Sequence, residues 1–364
     1  MESPISYFSD LVDPRVDRTK AHLLDDIIFI AIASVLCGAE TWNDMETFGK
    51  SKEGWLREFL KLPEGIPSHD TFNRVFSLLD SAELETSFLQ WTSSVAQLTE
   101  GEVISIDGKS ICGSRDKGNK SIVHMVSAWA GINHIVLGQR KVDAKSNEIT
   151  AIPELLKLLV LKGCIVTIDA MGCQKEIAKE IIDKEANYIL GLKGNQGNLL
   201  QQTEDSFRFL EAKSIDHNID VGHGRVEQRK CSVIDDLSMI EKKDDWKNLK
   251  CLVRVEAERY IKASSKTENE TRYYISSLPA DAQLLSNSIR SHWGVENSLH
   301  WVLDVAFNED NSRKRAGNAA QNFSVLNRIA LNILKNETAT KVGVKGRRLK
   351  AGWDNEYLKK IFKI

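Results

Sequence analysis

Apolar positions through residues 10–95 recur at helical spacing. The run LLDDIIFIAIASVLCGA reads as a helix, and its most apolar part, Ile27 to Cys37, as a buried one. EGWLREFLKL carries Trp55, Phe59 and Leu62 on one side, before Pro63, Gly65 and Pro67 break the chain. Ser68 then sits where its hydroxyl can hold an early amide of a helix with a stripe of Phe72, Val75, Phe76 and Leu79. Residues 1–97 are expected to form an N-terminal helical domain.

Near residue 101 the period shortens. EVISIDG is a β-branched run ending in Asp-Gly, and SIVHMVSAWAG and HIVLGQRKV read as a hairpin around Ile132 and Asn133. NEITAIPELLKLLVLKG and CQKEIAKEIIDKEA are helices on either side of a second strand, CIVTIDAMG, with NYILGLKGN as a third. Strands alternating with helices imply a sheet with helices packed on it, an α/β fold. Residues 200–278 switch to GRVEQRKCSVI, KCLVRVEAERY and TRYYISSLP, a β-rich insertion. From Asp281 the pattern is helical again, with a last helix from Asn318 to Leu334 and a basic tail over 341–364.

Three acids stand out against this pattern. In VISID and IVTID, alternation puts Ser105 with Asp107 and Thr167 with Asp169, each a small hydroxyl two residues before an aspartate. If the strands are parallel neighbours, both aspartates lie at the carboxyl edge of the sheet, where open α/β sheets bind ligands. Two carboxylates there repel unless something positive intervenes, and a hard dication such as magnesium takes oxygen ligands. An Asp-Gly after a strand is often only a turn, so the pair carries more than either member. Leu285 to Phe307, read as one helix at about 100° per residue, places Leu285, Ile289, Leu303 and Phe307 in one stripe with Glu296 at its middle. A carboxylate buried there would need a partner or a metal. His292 and His300 lie one turn to either side.

Composition narrows this little. The 364 residues suit one large domain with attachments, and 42% hydrophobic with 27% charged residues is ordinary for a globular protein. No stretch approaches the roughly 20 apolar residues of a membrane span, and the start MESPISYFSD shows no signal peptide, so a cytoplasmic address is expected. The six cysteines form no C-x-x-C pair, which argues against a zinc site. A net charge of −2 argues mildly against a nucleic-acid partner, although local basic patches suffice for binding.

The acids sit in motifs that resemble the DDE transposases of bacterial insertion sequences, in particular the H-repeat-associated group. The matching pieces run nearly the length of the chain: GAETWNDMETFGKSKEGWL, GIPSHDTFNRVFSLLD, SIDGKSICGS around Asp107, HMVSAWA, TIDAMGCQ around Asp169, YILGLKGNQ, GHGRVEQR, and RSHWGVENSLHWVLDVAFNEDNSRKR around Glu296. The resemblance implies a ribonuclease-H-like core, a mixed five-stranded sheet flanked by helices. Residues 98–199 would form its first part, 200–278 the insertion and 279–340 its C-terminal helical part. It further implies Asp107, Asp169 and Glu296 as catalytic acids that together bind two divalent ions, Mg2+ or Mn2+.

The implied reaction is metal-dependent cleavage and strand transfer at the ends of an insertion sequence. The partners would be its terminal inverted repeats and target DNA, with a homodimer in the DNA complex. The alternatives are a ribonuclease-H-like nuclease without transposition, or a non-catalytic DNA-binding relic. Related transposases carry a tyrosine–arginine–glutamate–lysine pattern around the glutamate. Aligned on Glu296, those positions hold Ile289, His292 and Leu303, so the basic contacts do not transfer. Arg290, His292 and His300 are the candidates to substitute. Further phosphate contacts are expected from Lys109 (clustered with Arg115, Lys117 and Lys120), Lys193, Arg225, and Arg313 with Lys314 and Arg315.

Overall fold

The computed structural model describes residues 3–16, 20–115, 122–142, 147–222 and 224–364. Lys117 and Lys120 of the first basic cluster, and His223 of GHGRVEQR, lie outside them.

The chain begins with helices α1 (Leu24–Leu36), α2 (Trp42–Ser51), α3 (Glu53–Leu56), α4 (His69–Leu78) and α5 (Ser81–Val95). Their starts are written in the sequence. The Thr41 hydroxyl accepts from the Asp44 amide at 3.1 Å while the Asp44 carboxylate accepts from the Thr41 amide at 2.8 Å. Ser68 accepts from Thr71 in the same way, as expected. Next come β1 (Val103–Ile111), β2 (Val123–Ala130), β3 (Ile135–Lys141), α6 (Glu148–Leu158), β4 (Ile165–Ile168), α7 (Lys175–Asp183), β5 (Asn187–Leu192) and α8 (Gly197–Phe209). Strands β6 (Ser214–Gly222), β7 (Arg225–Ile234), β8 (Cys251–Ile261) and β9 (Lys266–Ser276) follow. The chain closes with α9 (Ala282–His292), a π-helix (Glu296–His300), α10 (Trp301–Phe307), α11 (Ala319–Asn336), α12 (Val344–Trp353) and α13 (Asn355–Phe362).

The strand order is β3-β2-β1-β4-β5-β9-β8-β7-β6. β1, β4 and β5 pair in parallel, while β2 with β3 and the β5-β9-β8-β7-β6 series are antiparallel. The sheet is mixed, but it has nine strands rather than the expected five. The reason is at β5: its open edge would leave a row of backbone groups unpaired, and β9 takes them up, carrying the rest of the 214–276 strands with it.

The chain divides into two compact units. One comprises Met1–Gln97, Gly108–Lys145 and Glu296–Ile364. Its axis is α11, buried along most of its length. Inside it Arg328 meets Glu309 at 2.8 Å with both side chains out of water, and Asn332 holds the backbone amide and carbonyl of Val136 at 2.7 and 2.9 Å. The basic stretch over 341–364 holds α12 and α13, and Arg348 there is only 3% exposed. Its guanidinium donates to the carbonyls of Val35, in the last turn of α1, and of Ala39, just beyond it.

The other unit comprises Leu98–Asp107 and Ser146–Val295. Here α9 lays Ala282, Leu285 and Ile289 onto a sheet face made by Ile165, Ile189, Val233 and Val253. Among the described residues no helix is long and apolar enough to cross a membrane.

Candidate active site

In the second unit β1 and β4 run side by side with Ser105 opposite Thr167. Both hydroxyls are buried, and Thr167 Oγ1 lies 3.3 Å from Ser105 Oγ and 3.0 Å from His292 Nδ1 on α9. The two small residues seen in the sequence are therefore linked, and the link reaches His292. Asp169 is the first residue past β4. Asp107 is not a strand end as expected, because β1 continues to Ile111.

The two carboxylates act on each other. Partial burial, the charge of Glu148 and the charge of Asp107 all raise the pKa of Asp169, against hydrogen bonds from the Gly172 and Met171 amides. Those amides reach Asp169 Oδ1 at 3.4 and 3.0 Å and fix its direction. The turn after Asp169 is tight: a Cβ on Gly172 would stand 2.3 Å from Ile168 Cγ2. Asn195 donates to the Ala170 carbonyl at 2.7 Å and Gln196 to the Cys173 carbonyl at 2.9 Å, so the GNQ segment after β5 clamps this turn. Sequence reasoning missed Glu148, Asn195 and Gln196. Asn195 and Gln196 were visible in the YILGLKGNQ motif, but nothing in the sequence gave them a partner.

Glu296 stands differently from expectation. The run Leu285 to Phe307 is not one helix: α9 ends at His292, Trp293 is a turn residue, and Glu296 opens a π-helix. Its four apolar companions are buried, but Glu296 is exposed. A π-helix adds residues to each turn and breaks the 3.6-residue spacing on which the stripe rested. Such turns often occur at functional sites.

The expected DNA contacts separate into groups. Lys109 is 8% exposed, with its ammonium 2.8 Å from the Asp304 carboxylate and 3.1 Å from that of Asp310. Burial pulls its pKa down, but the bonds and charges of Asp304, Glu309 and Asp310 outweigh this and leave it above the ordinary lysine value. It is an internal ion-pair centre rather than a surface cation. His300 is 5% exposed and also lies inside. Lys314, at 8%, has its ammonium on the Glu40 carbonyl and over the Phe323 ring, and burial lowers its pKa to about 8. Lys193, Arg313 and Arg315 are exposed, with Arg315 Nε 3.3 Å from the Gly113 carbonyl. Arg225 and Arg290 line one cavity beside β6 and β7.

Among the described residues, no group of three or more His, Cys, Asp or Glu side chains is arranged to hold a metal ion.

Two family models match the chain: a DDE transposase-associated domain over residues 5–92 and a transposase DDE domain over 98–333. A putative transposase, YncI, of Escherichia coli O157:H7 is 43% identical, covering 99% of this chain and 94% of its own. The H repeat-associated putative transposase YhhI of Escherichia coli K12 is 40% identical over 98% of this chain and 97% of its own. A piggyBac transposase synaptic complex with hairpin DNA aligns at a TM-score of 0.43 and 11% identity over the whole chain and 81% of that one, too distant to bear on the fold. The family matches and the relatives of nearly equal length agree: the chain belongs to the transposase DDE domain family, alongside the H-repeat-associated transposases.

Proposed function

We propose that this protein is a metal-dependent transposase that cleaves DNA at the ends of an insertion sequence and transfers the freed strand to target DNA. The observation that carries the reading is the like-charged pair of Asp107 in β1 and Asp169 just past its parallel neighbour β4, with burial and the charges of Glu148 and Asp107 holding Asp169 above the ordinary carboxylate pKa. A fold seldom keeps such repulsion without a use for it. In this reading Asp107 and Asp169 hold Mg2+ or Mn2+, and Glu296 supplies the third acid of the family motif.

The donor set fits a hard dication: both aspartates offer oxygen, and a cation there removes their repulsion. Divalent ions held by Asp107 and Asp169 would supply the Lewis acidity needed to activate a water or 3′-hydroxyl and to stabilise the leaving oxygen. The chain itself orients the ligands. The Met171 and Gly172 amides aim Asp169, Asn195 and Gln196 keep its turn closed, and His292 braces the buried Thr167–Ser105 pair beneath.

The test is a labelled duplex carrying the element's terminal inverted repeat, incubated with the protein and Mg2+ or Mn2+. Nicking at the repeat end and joining to a second duplex are expected. A folded protein that binds the repeat and never nicks it would overturn the enzymatic reading.

A further inference from the structure

The cavity beside the β6–β7 hairpin has a volume of about 300 Å³ and is lined by Asp220, Val221, Gly222, Arg225, Glu227, Arg229 and Arg290. Three guanidinium groups face two carboxylates. Asp220 Oδ2 accepts from both Arg290 Nη2 and Arg229 Nη1, the latter at 3.3 Å. Glu227 is buried and engaged by Arg229 at 2.7 Å and Arg259 at 3.3 Å. Arg225 forms no ion pair with a described residue.

We propose that this cavity grips a phosphodiester of bound DNA, and that Asp220 occupies the phosphate's place until DNA arrives. The inference rests on the DNA reading above and adds a location to it. Two guanidinium groups converging on one oxygen form an anion cradle, and arginine forks suit phosphate oxygens as well as carboxylates. The Asp220 side chain is 46% exposed, and ion pairs so open to water hold weakly, so a phosphate with several oxygens can displace it. Glu227 stays behind, buried and held by Arg259 and by the second nitrogen of the Arg229 fork. Among the described residues the lining has no aromatic ring on which a base could stack, so the grip is on the backbone and independent of sequence.

The experiment measures binding of the full chain to a generic 30-base-pair duplex, in EDTA, across a series of salt concentrations. Arg225→Ala and Arg290→Ala should each weaken binding by about 3- to 10-fold and lower the salt slope by roughly one. Asp220→Asn should tighten binding by a similar factor. Arg225 makes no described ion pair, so its variant tests the cavity without disturbing the fold. The proposal is overturned if both arginine variants bind like wild type, or if Asp220→Asn binds no tighter. If the variants bind normally while wild type still nicks repeat ends, only this inference fails. If wild type binds no duplex, the DNA reading fails with it.

Discussion

Asp107 and Lys109 are two residues apart on one strand, yet their surroundings are opposite. Asp107 adds its charge to burial and to the charge of Glu148 in raising the pKa of Asp169. Lys109 is buried between Asp304 and Asp310, and its charge is matched. One environment leaves a charge problem open and the other closes it. The open one is where a cation has something to do, whereas the closed one already has its cation and serves to hold residues 304–310 to β1.

The largest expected effect falls on the open side. Asp107→Asn and Asp169→Asn should each lower cleavage by on the order of 10⁴-fold while leaving DNA binding largely intact. Glu296→Gln should do the same if it is the third acid. Glu148→Gln is the control, because Glu148 also acts on Asp169. Loss of cleavage in Glu148→Gln but not in Glu296→Gln would transfer the third role to Glu148.

The closed side predicts a change in stability. Lys109→Ala strands two acids and should cost about 2 kcal/mol, less than a fully buried pair because both acids keep contact with water. Denaturant titration reads this directly. An unchanged midpoint with weakened DNA binding would break the comparison and return Lys109 to the substrate. A smaller effect is expected at the brace: Thr167→Val keeps the shape, removes the bond to His292, and should slow cleavage about 10-fold at saturating DNA. An unchanged rate would leave His292 with no part in orienting the aspartates.

The legible parts of the sequence were those set by local periodicity. The alternation in VISID and IVTID located Ser105, Asp107, Thr167 and Asp169, and the parallel pairing of β1 with β4, which the sequence could only pose as a condition, is present in the fold. What escaped depended on partners distant in sequence. Lys109 reads as a surface cation until Asp304 and Asp310 are placed beside it, and Arg348 until it is seen on the end of α1. The helix through Glu296 failed for a different reason: periodicity assumes a constant turn, and the π-helix changes it.

The smallest effect gives the sharpest test of the open charge problem. Asp169 has a raised pKa, so its charged form is disfavoured in the folded state relative to the unfolded one. Above the raised value the metal-free fold carries that cost in full. As pH falls through it, the folded protein takes up a proton before the unfolded chain does, and the cost disappears. Asp169→Asn should therefore raise the melting temperature of the metal-free protein at pH 7 to 8, and the gain should shrink as pH falls towards the ordinary carboxylate range. Mg2+ should raise the melting temperature of wild type and do little for the variant, since it relieves the same repulsion. A variant that melts at or below wild type at pH 7 to 8 would mean that the pair is not under strain, and the contrast with Lys109 would lose its basis.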